Sequence, residues 1–150
     1  MNITPHFAKE ELERSATAQA YKIDNRIPES LMPKALVLCQ AMEEVRAFLG
    51  TTFGPETKIV TSSCYRCPRL NTLVKGQPTS QHMALEAMDF TAPPGKTQEV
   101  WAAIRDSDLP YDQLILERDR NGNVWVHYSV SRAGKAPRRM AFELEKNELN

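Results

Sequence analysis

Six apolar residues, Leu31, Ala35, Leu38, Met42, Val45 and Leu49, recur at alternating spacings of four and three. That rhythm draws a single stripe down one face of a helix, predicted over Ser30 to Leu49. A helix with one apolar stripe gains its stability from a second layer that covers the stripe, so this segment dictates a layered fold. Ser30 is the expected N-cap, Pro33 is tolerated in the first turn, where amides lack intrahelical acceptors, and Gly50 is the expected stop. Residues 7 to 22 read as one or two short helices, with Ser15 as a cap between them. Downstream, strands are predicted over Lys58 to Ser63, Glu86 to Thr91, Tyr111 to Glu117, Val124 to Val130 and Arg139 to Leu144. Pro68 to Val74 is a short helix opened by proline. Thr97 to Arg105 is another, capped by Thr97 and carrying Val100, Trp101 and Ile104 on its inner side. Helices first, then a mostly antiparallel sheet with intervening helices, make an α+β fold, expected as one domain over residues 1–150.

Composition narrows the function classes. The 150 residues carry 19 basic and 19 acidic side chains, a formal net charge of zero. This balance argues against nucleic acid as a partner, which calls for a net basic surface. The one basic cluster, Arg132 to Arg139, reads as a solvated loop. No stretch approaches the ~18 apolar residues of a membrane helix, and the N-terminus lacks a basic start followed by an apolar run. Cytoplasmic synthesis without membrane insertion is therefore expected. Cys39, Cys64 and Cys67 are an odd set, expected as thiols, with a Cys64–Cys67 disulfide as the oxidised alternative. A structural zinc at Cys64 and Cys67 lacks two further ligands.

The chemistry concentrates around two of the three histidines. His82 is followed seven residues later by Asp89, and His127 lies mid-strand in Trp125-Val126-His127-Tyr128. His, Asp and His satisfy the three protein ligands of a catalytic zinc that keeps its fourth position for water. Asp89 alternates with Ala87 and Thr91 on one strand face, so His82, an odd step away, must reach in from the preceding loop. The alternative is a satisfied sheet histidine, a strand-end carboxylate and a surface histidine that share nothing.

Ser80-x-His82-x6-Asp89 and Trp125-Val126-His127-Tyr128-Ser129 resemble the motifs of the zinc D-alanyl-D-alanine carboxypeptidases, peptidase family M15, and most closely its short phage and prophage members. The resemblance extends to Ile3-Thr4-Pro5-His6-Phe7, to Thr61-Ser62-Ser63-Cys64-Tyr65-Arg66-Cys67-Pro68 with Leu70-Asn71, and to Leu109-Pro110-Tyr111-Asp112-Gln113-Leu114-Ile115. It implies a hedgehog/DD-peptidase-like fold, one Zn²⁺ per chain on His82, Asp89 and His127, and a monomer acting on peptidoglycan peptides. By the same resemblance, Arg66 binds a substrate carboxylate or the oxyanion, and Ser80 and Gln81 orient His82 or contact substrate. It also implies a phage lytic enzyme that acts at the cell wall after release, or a virion-associated one. An inactive zinc-binding phage protein and an intracellular D-Ala-D-Ala dipeptidase are the alternatives. Three positions depart from the family pattern: Leu85 and Cys64 stand where glycine is usual, and Met88 where a small residue is.

A zinc peptidase also needs a base for its water. Some relatives place a carboxylate three residues before the last histidine, where this chain has Val124. Glu117 and Asp112 are the remaining candidates. A three-residue turn Arg120-Asn121-Gly122, with Gly122 left-handed, sets Glu117 opposite Trp125 and on the face of His127. A two-residue turn would set it opposite Val126, on the wrong face. Glu117 is thus the expected base, and Trp125, sharing the face, is expected to wall the cleft.

Overall fold

Period-two alternation gives the central sheet two different faces, and this difference positions the site. The computed structural model describes residues 1–146. Five strands, β3 (Val60–Ser63), β4 (Ala87–Thr91), β5 (Gln113–Arg118), β6 (Val124–Ser129) and β7 (Met140–Glu145), form a sheet of order β3-β4-β6-β5-β7. Every pairing is antiparallel except β5 with β7, which run parallel at one edge. Met88, Phe90, Leu114, Leu116, Val126 and Tyr128 join the hydrophobic core. Their neighbours Asp89, Ile115, Glu117, Trp125 and His127 point to the opposite face.

The core face is covered by α3 (Met32–Phe53) and α5 (Thr97–Arg105). Ala35, Leu38, Met42, Val45 and Leu49 of the α3 stripe are buried, as are Val100, Trp101 and Ile104 of α5. A short hairpin of β1 (Asn2–Thr4) and β2 (Phe7–Ala8), which periodicity did not anticipate, precedes α1 (Lys9–Glu13) and α2 (Ala16–Ala20). Ser15 caps α2, its Oγ accepting from the Ala18 amide. The helix α4 (Pro68–Leu73) opens on Pro68 with the Cys67 sulfur accepting from the Leu70 amide.

Three predicted helix ends are corrected. A 3₁₀ turn over Glu29–Leu31 precedes α3, so Leu31 rather than Ser30 holds the cap position. Gly50 does not stop α3, which runs one more turn so that Phe53 packs on the core. The stop is Gly54, at φ +115°, a conformation that favours glycine. Thr97 is the first helical residue of α5, and Lys96 holds its cap position. The basic loop, expected to be merely solvated, is anchored: Arg138 grips Asp112, Arg139 stacks over Tyr111 and donates to Leu109 and Ser107, and Arg132 donates to Thr79. Cys39, Cys64 and Cys67 are all free thiols.

Leu85 occupies the left-handed region at φ +54°. The turn before it closes with Glu86 N donating to Gln81 O and Leu85 N to His82 O, the bond pair of a Schellman motif. Glycine is usual at that position because a Cβ there costs ~1–2 kcal/mol. Here the leucine side chain is completely buried in the core, which offsets the strain. Leu85→Gly is therefore expected to destabilise the protein by about 2 kcal/mol, since losing a buried leucine outweighs relief of the strained backbone. A lower urea midpoint at unchanged m-value checks this, whereas a raised midpoint would show that strain dominates.

Candidate active site

His82, Asp89 and His127 arrive from a turn and two adjacent strands. Asp89 of β4 pairs directly with His127 of β6, so their side chains leave the same sheet face side by side. His82 sits in the turn that ends at Leu85 and reaches back to them, as its odd separation from Asp89 requires. Asp89 Oδ1 lies 3.3 Å from His82 Nε2 and 3.0 Å from His127 Nδ1. One potential ligand atom from each of the three lies within 4.8 Å of the others, and all three residues are buried.

The donor set fits a metal. A tetrahedral ion with ligands at 2.0–2.1 Å separates them by roughly 3.4 Å, close to the two Asp–His distances. His82 Nδ1 lies 2.6 Å from the Cys64 carbonyl, which fixes its N–H there and leaves the Nε2 lone pair facing Asp89. Burial lowers the His82 pKa, against the pull of Asp89, and so favours the neutral ring that a metal requires. Burial also opposes charge on Asp89, yet the two imidazoles outweigh it and hold the carboxyl well below the usual range.

Glu117 faces Trp125 across the β5–β6 ladder, and Gly122 is left-handed at φ +85°. The three-residue turn is thus the one present, with the Asp119 amide donating to the Asn123 carbonyl. Glu117 Oε1 lies 3.8 Å from His127 Nδ1, and the carboxylate is buried. Asp112 is committed elsewhere, to a two-pronged ion pair with Arg138 that also accepts the Arg138 amide. Val124 pairs with Arg118 at the end of the ladder.

Arg66 follows β3, and its amide donates to the His82 carbonyl. Its Nη1 donates to Asn71 Oδ1 at 3.1 Å, while Nε is buried without a partner. Burial lowers the Arg66 pKa, and the Asp89 and Glu117 carboxylates oppose that shift. Asn71 is itself held by Gln77 O. A Cβ on Gly76 would come within 2.1 Å of Asn71 Oδ1 and 2.6 Å of Arg66 Nη1, so this loop approaches closely enough to demand glycine. Ser80 Oγ accepts from the His82 amide, and Gln81 Nε2 donates to Val130 O. Leu85 and Met88, two of the three departures from the family pattern, point into the core rather than into the site.

Sequence reasoning missed Lys146, whose Nζ lies 3.1 Å from Glu117 Oε2. Its position depends on the parallel register of β7, in which Leu144 pairs with Glu117, and no local pattern signals that register. It also missed Gly76, in the loop that follows α4.

The sequence model of the Peptidase M15 family matches residues 5–129, which include all three potential ligands, Arg66 and Glu117. The chain belongs to the peptidase M15 family. No match was found among curated proteins. Membership makes the chain a peptidase by descent, in a family that is generally zinc-dependent, and the α+β architecture agrees with that fold. The match ends at Ser129, so β7 and Lys146 add to the site from outside the M15 segment. Among the described residues, no helix is long and apolar enough to cross a membrane.

Proposed function

We propose that the protein is a zinc metallopeptidase that hydrolyses an amide bond in peptidoglycan stem peptides or cross-bridges, with one Zn²⁺ on His82, Asp89 and His127. The observation that carries the reading is the meeting of these three side chains, with His82, His127, Glu117 and Arg66 lining one cleft of about 360 Å³ and Asp89 lining the cavity beside it. Two imidazoles and one carboxylate are the ligand type of a catalytic zinc, which polarises the scissile carbonyl and acidifies water. Glu117, held beside Lys146, takes the proton as water adds to the carbonyl carbon. It then delivers that proton to the leaving nitrogen as the C–N bond breaks. The Arg66 guanidinium, with donors to spare, faces the developing oxyanion or a substrate carboxylate. Ser80 and Gln81 keep the His82 turn in place beside the substrate, and Trp125 walls the neighbouring cavity on the Asp89 side.

Peptidoglycan, a monomeric state and a phage lytic setting rest on the motif resemblance, and the site chemistry is compatible with them. Purified sacculi provide the test. Zinc-loaded protein is expected to release peptide fragments detectable by mass spectrometry, and chelated protein none. If protein carrying one zinc per chain leaves sacculi intact but splits free D-Ala-D-Ala, the dipeptidase alternative replaces this reading. If it cuts neither, the inactive zinc-binding alternative does.

A further inference from the structure

The cleft that holds His82 and His127 is lined by four cationic side chains, Arg66, Arg132, Arg138 and Lys146, and by one carboxylate, that of Glu117. The chain as a whole carries no net charge, so this excess is local. A concave site walled by one sign of charge concentrates ligands of the other sign.

The ion pairs show which cation is in surplus. Asp112 takes Arg138 at 2.7 Å, and Glu117 takes Lys146 at 3.1 Å. Glu86, buried at the start of β4, is shared between two cations. Lys34 of α3 reaches its Oε2 at 2.5 Å, whereas Arg132 Nη1 stands 3.6 Å from its Oε1, beyond hydrogen-bond length. The nearer cation is Lys34, which leaves Arg132 in excess. Arg132 keeps one short bond, from Nη2 to the Thr79 carbonyl at 2.8 Å, and its side chain is 43% exposed. Its backbone is held too. Val130 N donates to Glu86 O, and Gln81 Nε2 donates to Val130 O, so the chain leaving β6 is tied to the His82 turn. Most N–H donors of the guanidinium remain for a planar anion entering the cleft.

We propose that Arg132 is a specificity-determining residue: it binds a carboxylate of the substrate other than the group that Arg66 serves, so that the cleft selects acidic peptides over their amidated forms. This names the substrate class of the proposed peptidase site and rests on that reading for the ligand being a peptide that is cut. A half-exposed ion pair sets the scale at about fivefold in affinity.

Two stem peptides, both with a free C-terminus, test it. One carries an acidic residue with its second carboxylate free, and in the other that carboxylate is amidated. In calorimetric titrations of metal-free protein the acid form is expected to bind about fivefold more tightly, and about 0.5 M sodium chloride to erode the difference. Arg132→Gln is expected to bind the two forms within about twofold of each other, and Arg132→Lys to keep part of the preference. Wild-type protein that binds both forms equally, or neither at millimolar peptide, overturns the proposal. So does an Arg132→Gln variant that weakens both forms alike and keeps their ratio, which would make Arg132 only a strut of the His82 turn. Zinc-loaded protein on the same peptides separates this proposal from the peptidase reading. Cleavage of both with equal kcat/KM would overturn the selection and leave the peptidase standing. If neither is cut while the binding preference holds and is lost in Arg132→Gln, the peptidase reading falls and the carboxylate site remains.

Discussion

Glutamine in place of Glu117 is expected to lower kcat by ~10²–10⁴-fold while bound zinc stays at one per chain. The substitution keeps the size and one hydrogen-bonding oxygen of the side chain and removes only its ability to take up a proton. Glu117 is buried 3.8 Å from His127 Nδ1, on the same side of the sheet as the potential ligands. It is close enough to reach a water held between them, and it stands outside the group of three residues whose ligand atoms lie within 4.8 Å of one another. Its other oxygen lies 3.1 Å from the Lys146 ammonium, which holds the carboxylate in place on this face. Asp112→Asn serves as the control. That carboxylate holds Arg138, so its loss is expected to lower the thermal midpoint with little change in kcat. Turnover of zinc-loaded protein on a cleaved peptide, with metal content measured alongside, decides the matter. Glu117→Gln turnover within about threefold of wild type would remove Glu117 from the chemistry.

The placement of Glu117 could be argued from sequence because strand parity is a local property. Once the turn length was chosen, Trp125 and His127 on one strand and Glu117 on the other had to share a face, and the ladder has that register. The His82 loop was legible for the same reason, since its odd separation from Asp89 left no other way to meet it. What escaped was decided by distant partners. The edge strand β7 was visible as a strand, but its parallel pairing with β5 brings Met140 beside Gln113, a choice no local window contains. With that pairing went Lys146. The end of α3 was misplaced because glycine is both a common helix stop and a tolerable helical residue. Core contacts of Phe53 carry the helix through Gly50, and the left-handed stop falls at Gly54. Leu85 shows the converse case. Leucine fills a position where the family usually has glycine, yet the backbone keeps the left-handed turn and the side chain goes to the core.

Zinc itself is expected to raise the thermal midpoint of metal-free protein by roughly 5–16 °C when present at 100 to 1,000 times its Kd. Preferential binding to the folded state contributes about 2.7–4.1 kcal/mol under those conditions, and a domain of this size shifts about 2–4 °C per kcal/mol. Magnesium at the same concentration is expected to do nothing, because it prefers an octahedral shell of oxygens and the site offers two nitrogens and one carboxylate. Asp89→Asn is the informative variant. Asparagine offers an oxygen to His127 Nδ1 and an N–H to the His82 Nε2 lone pair, so the metal-free variant is expected to melt within a few degrees of metal-free wild type. It withdraws the one anionic ligand, however, and the zinc-dependent rise is expected to disappear. Equal zinc responses from wild type and Asp89→Asn would place the ion elsewhere on the surface. A wild-type midpoint indifferent to zinc would mean that Asp89 and the two histidines meet as a hydrogen-bonded cluster, a structural knot in the sheet, with Glu117 left no activated water to serve.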